Sequence, residues 1–383
     1  MYFIYKNIAL LDKVVINNVK IIGFTNFKQL QKMGNVEVVE GNKINYITAD
    51  GHEFKRLSIV DEVIDKLCAG SKLIGNDRID YCNIALSIKS DKGNLECYTV
   101  AEYKDYLRQI EEHLYCMYGI ETDFSRAKLK EVEINRTFPL DYNFEDYHRV
   151  IELIMNNLPK TLKNQMDYKK VQNGLADYQT YYATSKKSNK SKKFIELKIY
   201  NKTKSIEKLI VLTDTYMRVE FKIIGADKIE RALDKKFFDE LTDQLINDYF
   251  DGQVKKLIVK PYENWKKARD KQIVKLMKEQ REKDLRHWQT NVLRILQDKE
   301  IMDKKAILLD VEELMELVDK LKLEAKRENE IKKNLKKQAK KYETAFCNND
   351  HLKMAEILKK LQSVNDKLAV NSNPSIIGTL KTA

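Results

Sequence analysis

The chain has 383 residues, 43% of them hydrophobic and 33% charged, with a net charge of +12. That length is enough for roughly two or three domains with real cores, and no run approaches the roughly 20 apolar residues of a membrane span. Lys6 interrupts the apolar start too early for a secretory signal, and the five cysteines (68, 82, 97, 116 and 347) form no C-x-x-C pair, so the expectation is a cytoplasmic protein with reduced thiols.

Residues 14–60 alternate short apolar runs with polar turns such as Glu40-Gly41-Asn42 and Asp50-Gly51, which predicts hairpins. Asn83 to Lys89 predicts another strand, turned by Asp91-Lys92-Gly93-Asn94. A helix follows from about Val100 to Tyr118, with Tyr103, Tyr106, Leu107, Ile110 and Leu114 at helical spacing and Gly119 as its stop. From Leu129 to Phe138 the period is two: Val132 and Ile134 point one way, Glu131, Glu133, Asn135 and Thr137 the other. A helix is expected from about Asn143 to Asn157, ended near Pro159.

Two strands come next, Tyr178 to Thr184 and Phe194 to Tyr200. Their connecting tip carries Lys186, Lys187, Lys190, Lys192 and Lys193 and no acid. A solvated hairpin end would look like this, and so would a finger lying on phosphates. The second strand hides Ile195, Leu197 and Ile199 and shows Glu196, Lys198 and Tyr200. Tyr216 to Ile224 repeats the pattern, with Arg218, Glu220 and Lys222 outward. A helix is expected from about Lys228 to Phe250.

Near Gly252 the chain changes character. Residues 1–253 hold 39 Lys and Arg against 38 Asp and Glu; residues 254–383 hold 31 against 20. The expected division is therefore 1–252 and 253–383, an α+β domain with an antiparallel sheet and flanking helices, then an all-α, basic region. That region should contain a helix opening near Pro261, another over about 304–342, and a last one with Ile357, Leu361, Val364 and Leu368 at coiled-coil spacing. Lys332, Lys333, Lys336, Lys337, Lys340 and Lys341 line one side of the second. Leu285 to Leu317 carries no helix-turn-helix signal above background. A localised positive excess suggests a polyanion, nucleic acid first.

If the three alternating strands share a sheet, one face collects carboxylates, cations and a tyrosine. Such a set suits metal-assisted phosphoryl transfer to a phenol. With an ordinary pKa near 10, a tyrosine needs help to attack. A divalent ion held by carboxylates polarises the phosphate, and Lys or Arg stabilises its oxygens. Tyr200 is the candidate nucleophile; Lys198, Lys202 and Arg218 are the cations; Glu131 or Glu133, Glu196 and Glu220 are the ligands of a Mg²⁺ or Mn²⁺ ion. Alternating charges on an open sheet face are also common without any catalysis. There is no G-x-G-x-x-G or P-loop, and the five histidines form no metal-binding spacing.

The order of three motifs resembles the replication endonucleases of filamentous phages and the related rolling-circle plasmid initiators. They are Glu133-Ile134-Asn135-Arg136-Thr137-Phe138, then Lys198-Ile199-Tyr200-Asn201-Lys202, then Met217-Arg218-Val219-Glu220-Phe221-Lys222. The resemblance covers about residues 80–235. It implies a nickase that joins Tyr200 to a 5′ phosphate at a replication origin and later rejoins the strand. The phage strand has Asp where this chain has Asn135, so Glu133 or Glu131 must supply the first carboxylate. A mobilisation relaxase with the same chemistry, and a single-stranded nucleic-acid-binding protein without catalysis, are the alternatives. DNA is the expected partner; duplex DNA, a host helicase or a second subunit are the options for the helical third.

Overall fold

The computed structural model describes residues 8–40, 44–87, 97–159, 162, 170–173, 176–184, 195–206, 214–302, 309–342 and 349–362. Its strands are β1 (Leu10–Asn17), β2 (Lys20–Phe24), β3 (Val36–Val39), β4 (Tyr46–Ile47), β5 (Glu53–Phe54), β6 (Arg56–Ile59), β7 (Lys66–Ile74), β8 (Asp77–Ser87), β9 (Ile120–Asp123), β10 (Lys128–Pro139), β11 (Lys170–Asn173), β12 (Ala176–Thr184), β13 (Ile195–Asn201) and β14 (Tyr216–Ile224). One 10-stranded sheet has the order β11-β12-β13-β14-β10-β1-β8-β7-β6-β3, and its pairings are antiparallel. Two small ribbons, β2 with β9 and β4 with β5, complete the strands. The fold is α+β: a large antiparallel sheet with flanking helices, followed by a helical C-terminal region.

Alternation in the central strands produces one apolar face. Ile134, Leu197, Ile199, Val219 and Phe221 are all buried there, each contributing roughly 1.5–3 kcal/mol by leaving water. The helix Asp243–Val254 covers part of this face, with the Phe250 ring 5.2 Å from that of Phe221. The helix Val100–Tyr118 adds Tyr103, Leu107, Ile110 and Leu114 to the same core. It opens on a Thr99/Glu102 capping box and ends at Gly119, whose φ of 63° is cheap only for glycine.

The single helix expected over 228–250 is two, Ala226–Leu233 and Asp243–Val254. Asp234 turns left-handed at φ 52°, Phe238 then enters the core, and Thr242 caps the second helix by accepting from the Leu245 amide at 3.2 Å. A helix does start near Pro261, Lys260–Lys283 with the proline in its first turn, but it does not start from a free end. The run Asp243–Val254 continues through a π turn, Lys255–Val259, into Lys260–Lys283. The wider turn just before Pro261 absorbs the proline, which has no amide to donate. The composition change near residue 252 therefore falls inside a continuous helical run, and Val254, Leu257 and Ile258 belong to the sheet's core.

Farther on, Ile273, Met277, Trp288, Val292, Leu314, Val318 and Leu335 build a second core. The last helix, Asp350–Leu361, leaves it and returns to the first. Met354, Ile357 and Leu361 are buried there, so Ile357 and Leu361 are not available as a coiled-coil seam; Val364, Leu368 and the tail from Ala369 lie outside the described residues. Among the described residues, no helix is long and apolar enough to cross a membrane.

Arg136 fastens this return. Its guanidinium is wholly buried over the Phe250 ring, 4.7 Å from the centroid. It donates to the Leu361 carbonyl and pairs with Asp251 at 3.1 Å. Breaking such a buried interaction costs about 3–5 kcal/mol, so Arg136→Ala should lower urea stability by that amount. Lys359→Met, on the exposed side of the same helix, should cost under about 1 kcal/mol. Equal losses in the two variants would show that the Arg136 contact does not hold the last helix.

Candidate active site

Register builds the site. The antiparallel pairing of β13, β14 and β10 lines up three rungs on the polar face: Tyr200–Arg218–Thr137, Lys198–Glu220–Asn135 and Glu196–Lys222–Glu133. Opposite charges meet across strands in the last two, the arrangement that favours cross-strand pairs. On the far side of β10 the β1 strand has a register shift between Leu11 and Val14. The two residues inside it, Asp12 and Lys13, escape simple alternation, and the Asp12 carboxylate reaches Arg218 Nη1 at 2.9 Å.

The face is closed rather than open. Arg218 has no exposure, Glu220 is 2% exposed, Lys202 5% and Tyr200 9%. Arg218 Nε donates to Thr137 Oγ1 at 2.7 Å while Nη1 holds Asp12. The Tyr200 hydroxyl donates to Glu220 Oε2 at 3.4 Å, and Lys198 Nζ lies 2.5 Å from Glu220 Oε1. Lys198 also lies 3.6 Å from Glu133 and 3.9 Å from Glu196. Lys222 bridges Glu131 at 2.6 Å and Glu133 at 2.8 Å.

These surroundings set protonation. Burial, reinforced by the Glu133 charge, raises the Glu220 pKa, which makes it a stronger proton acceptor than an exposed glutamate. Burial also pushes Glu133 up, but Lys198 and Lys222 outweigh it and the net shift is downward. Lys198 is held above the ordinary lysine value, because Glu220 and Glu133 overcome its burial. Lys202 goes the other way: burial and then Arg218 lower it to about 8. Cys97, which accepts from Asn135 Nδ2 at 3.1 Å, is pushed up to about 11 by burial, so it stays a thiol and offers no rival nucleophile.

Of the expected carboxylates, Glu133 and Glu220 come together; Glu131 and Glu196 stand outside their cluster. Asp12 takes the third place, with one oxygen from each of Asp12, Glu133 and Glu220 lying within 4.8 Å of the others. An all-oxygen, all-anionic donor set fits Mg²⁺ or Mn²⁺, with Lys198 supplying the compensating charge in this arrangement. Asp12 was hidden in the sequence because it sits in the irregular part of β1. The available signal was an acid inside the apolar run Leu10 to Ile16, on a strand read from residue 14 onward. Asn135, in the position where the phage strand has Asp, is flanked by Glu133 on its own strand and by Asp12 on the next.

Arg218, wholly buried, has Thr137 and Asp12 among its partners, so it holds the Asp12 carboxylate in position. Among the other tyrosines, Tyr181 occupies the apolar face and meets His148, whereas Tyr182 and Tyr216 share the face of Tyr200. Lys186, Lys187, Lys190, Lys192 and Lys193 lie outside the described residues.

No family model matches the chain, and no curated protein does. Among solved structures, the chain is similar to the rolling circle replication initiator protein from Geobacillus stearothermophilus, with a TM-score of 0.31 and 11% identity over 65% of this chain and 85% of that one.

Lys202 gives the site a measurable pH signature. A lysine at about 8 in the folded state and 10.5 in the open chain favours folding only when neutral. Between those values the unfolded chain holds the extra proton, so stability rises with pH, by at most about 3 kcal/mol. In EDTA, wild type should gain stability over this interval relative to Lys202→Met. Parallel pH curves for the two proteins would mean that Lys202 titrates as an ordinary surface lysine.

Proposed function

We propose that this chain cuts and rejoins one DNA strand through a phosphotyrosine at Tyr200, as a replication initiator of the rolling-circle kind. The observation that carries the reading is the contact of the Tyr200 hydroxyl with Glu220, a member of the three-carboxylate cluster. Glu220 accepts the phenolic proton. The Tyr200 oxygen forms a bond to phosphorus, the bond from phosphorus to the 3′ oxygen breaks, and that oxygen leaves with a proton as a free 3′ hydroxyl. The reverse reaction rejoins the strand without an external energy source, because one phosphodiester is exchanged for another. Asp12, Glu133 and Glu220 would hold a Mg²⁺ or Mn²⁺ ion, which supplies charge neutralisation at the phosphate. Lys202, beside the Tyr200 ring at 6.0 Å from its centroid, is the cation placed to meet the phosphate oxygens. Arg218 keeps Asp12 in position.

A second reading draws on the mutual pairing of Lys198, Lys222 and the glutamates. A polar face whose charges already answer one another could serve only to align the strands, with nucleic acid bound elsewhere and never cut.

Incubation with supercoiled DNA carrying the protein's own gene and flanks separates the two. Strand transfer predicts relaxed circles with Mg²⁺ and none in EDTA. Tyr200→Phe should bind DNA but not cut, and Asp12→Asn should lose at least ~100-fold in rate, the scale of a major electrostatic stabiliser. Relaxation by Tyr200→Phe at the wild-type rate, or intact circles under every condition, would refute strand transfer at Tyr200.

A further inference from the structure

The second core holds a compact unit whose outer face was not singled out by the strand-transfer reading. The helix Val311–Asp319 is capped by Asp310, whose carboxylate accepts from the Glu313 amide at 2.6 Å. After five intervening residues the helix Ala325–Ala339 begins, beyond a turn in which Lys322 is left-handed at φ 54°. Glycine often occupies such a turn between the two helices of a helix-turn-helix. Leu314, Leu317 and Val318 from the first helix meet Ile331, Leu335 and Ala339 from the second in one core. Trp288, Val292, Leu293 and Leu296 of the preceding helix, Trp288–Met302, close it. The single helix expected over 304–342 is thus interrupted, and the interruption creates a two-helix unit seated on a third.

Burial of Ile331, Leu335 and Ala339 determines which side of the last helix faces out. Opposite them, at helical spacing, lie Lys326, Lys333, Lys337 and Lys340, all exposed, with Asn329 and Glu330 between. The helix's other lysines, Lys332 and Lys336, pair with Asp319 and Glu312 of the first helix. Among the described residues no ion pair engages Lys326, Lys333, Lys337 or Lys340. Asp319, Glu328 and Glu312 are thus already used by the flanking lysines, and with Glu330 as its one acid the outward stripe of four lysines keeps a net positive charge for an external polyanion.

We propose that Val311–Asp319 and Ala325–Ala339 form a helix-turn-helix that binds duplex DNA, with Ala325–Ala339 entering the major groove. The groove, about 12 Å wide, admits a helix. Asn329, near the helix's start and on its outward side, is of a type that pairs with adenine edges. Lys333, Lys337 and Lys340 follow along the helix to meet phosphates. This inference goes beyond strand transfer, since duplex affinity requires no cleavage.

The test uses the full-length protein and a labelled duplex of mixed sequence in EDTA, so that neither an origin nor cutting is needed. Lys333→Ala/Lys337→Ala/Lys340→Ala, checked by circular dichroism for an intact fold, should flatten the slope of log K against log salt by about 0.9 per lost contact, or about 2.7 in all. An equal charge change on another exposed helix face, Lys271→Ala/Lys275→Ala/Lys278→Ala, should leave most of the slope. Cutting of single-stranded DNA, where it occurs, should survive in both variants, so loss of cutting by Tyr200→Phe and loss of duplex affinity here fail or succeed separately. An unchanged slope in the first variant would overturn the proposal, as would equal flattening in both. A change in sedimentation with duplex binding intact would assign the stripe to a second copy of the chain and overturn it too.

Discussion

The site depends on how the fold answers one buried positive charge, the Arg218 guanidinium. An ion without exposure loses several kcal/mol of hydration, and only well-placed partners offset that loss. Thr137 on β10 and Asp12 on β1 are those partners. To deliver Asp12, β1 must lie next to β10 and must break its register between Leu11 and Val14. One desolvated guanidinium thus ties three strands together and brings a third carboxylate toward Glu133 and Glu220. Two residues along β14, Glu220 feels the consequences: its burial and its neighbour Glu133 raise its pKa, while Lys198 keeps the cluster neutral enough to persist.

Under the strand-transfer proposal, that arrangement would let the face be both structural and reactive. The lysine–glutamate pairs hold alternating rungs together, and the same pairs keep Glu220 beside the Tyr200 hydroxyl at 3.4 Å. A closed face excludes bulk water, which strengthens each charge interaction within it. With Tyr200 only 9% exposed, a phosphate must displace neighbouring groups to reach the hydroxyl. Substrate binding would then be coupled to a local rearrangement of this face.

Much of the sheet was legible in the sequence. Glu133, Lys198, Tyr200, Arg218 and Glu220 were all assigned to one face, because a strand with one apolar side repeats every two residues and its register cannot slip without exposing that side. Asp12 was illegible for the complementary reason: a register shift breaks the period on which the reading relies. The helical breaks were missed at Asp234 and Lys322, where non-glycine residues take positive φ and composition gives no warning. The charge of Arg218 is visible in the sequence, whereas its burial behind Thr137 and Asp12 is not. The composition change near residue 252 is real but does not mark a break in the backbone, and the return of Asp350–Leu361 to the first core is a long-range contact that local pattern cannot reveal.

The central claim is that Tyr200 becomes covalently joined to DNA. The direct measurement is mass spectrometry of protease-digested protein after reaction, with Mg²⁺, on single-stranded DNA from the flanks of its own gene. The account predicts a nucleotide-linked peptide containing Tyr200, formed by wild type and absent in EDTA. An adduct on Tyr182 or Tyr216, or cleaved DNA with no protein-linked product, would contradict it.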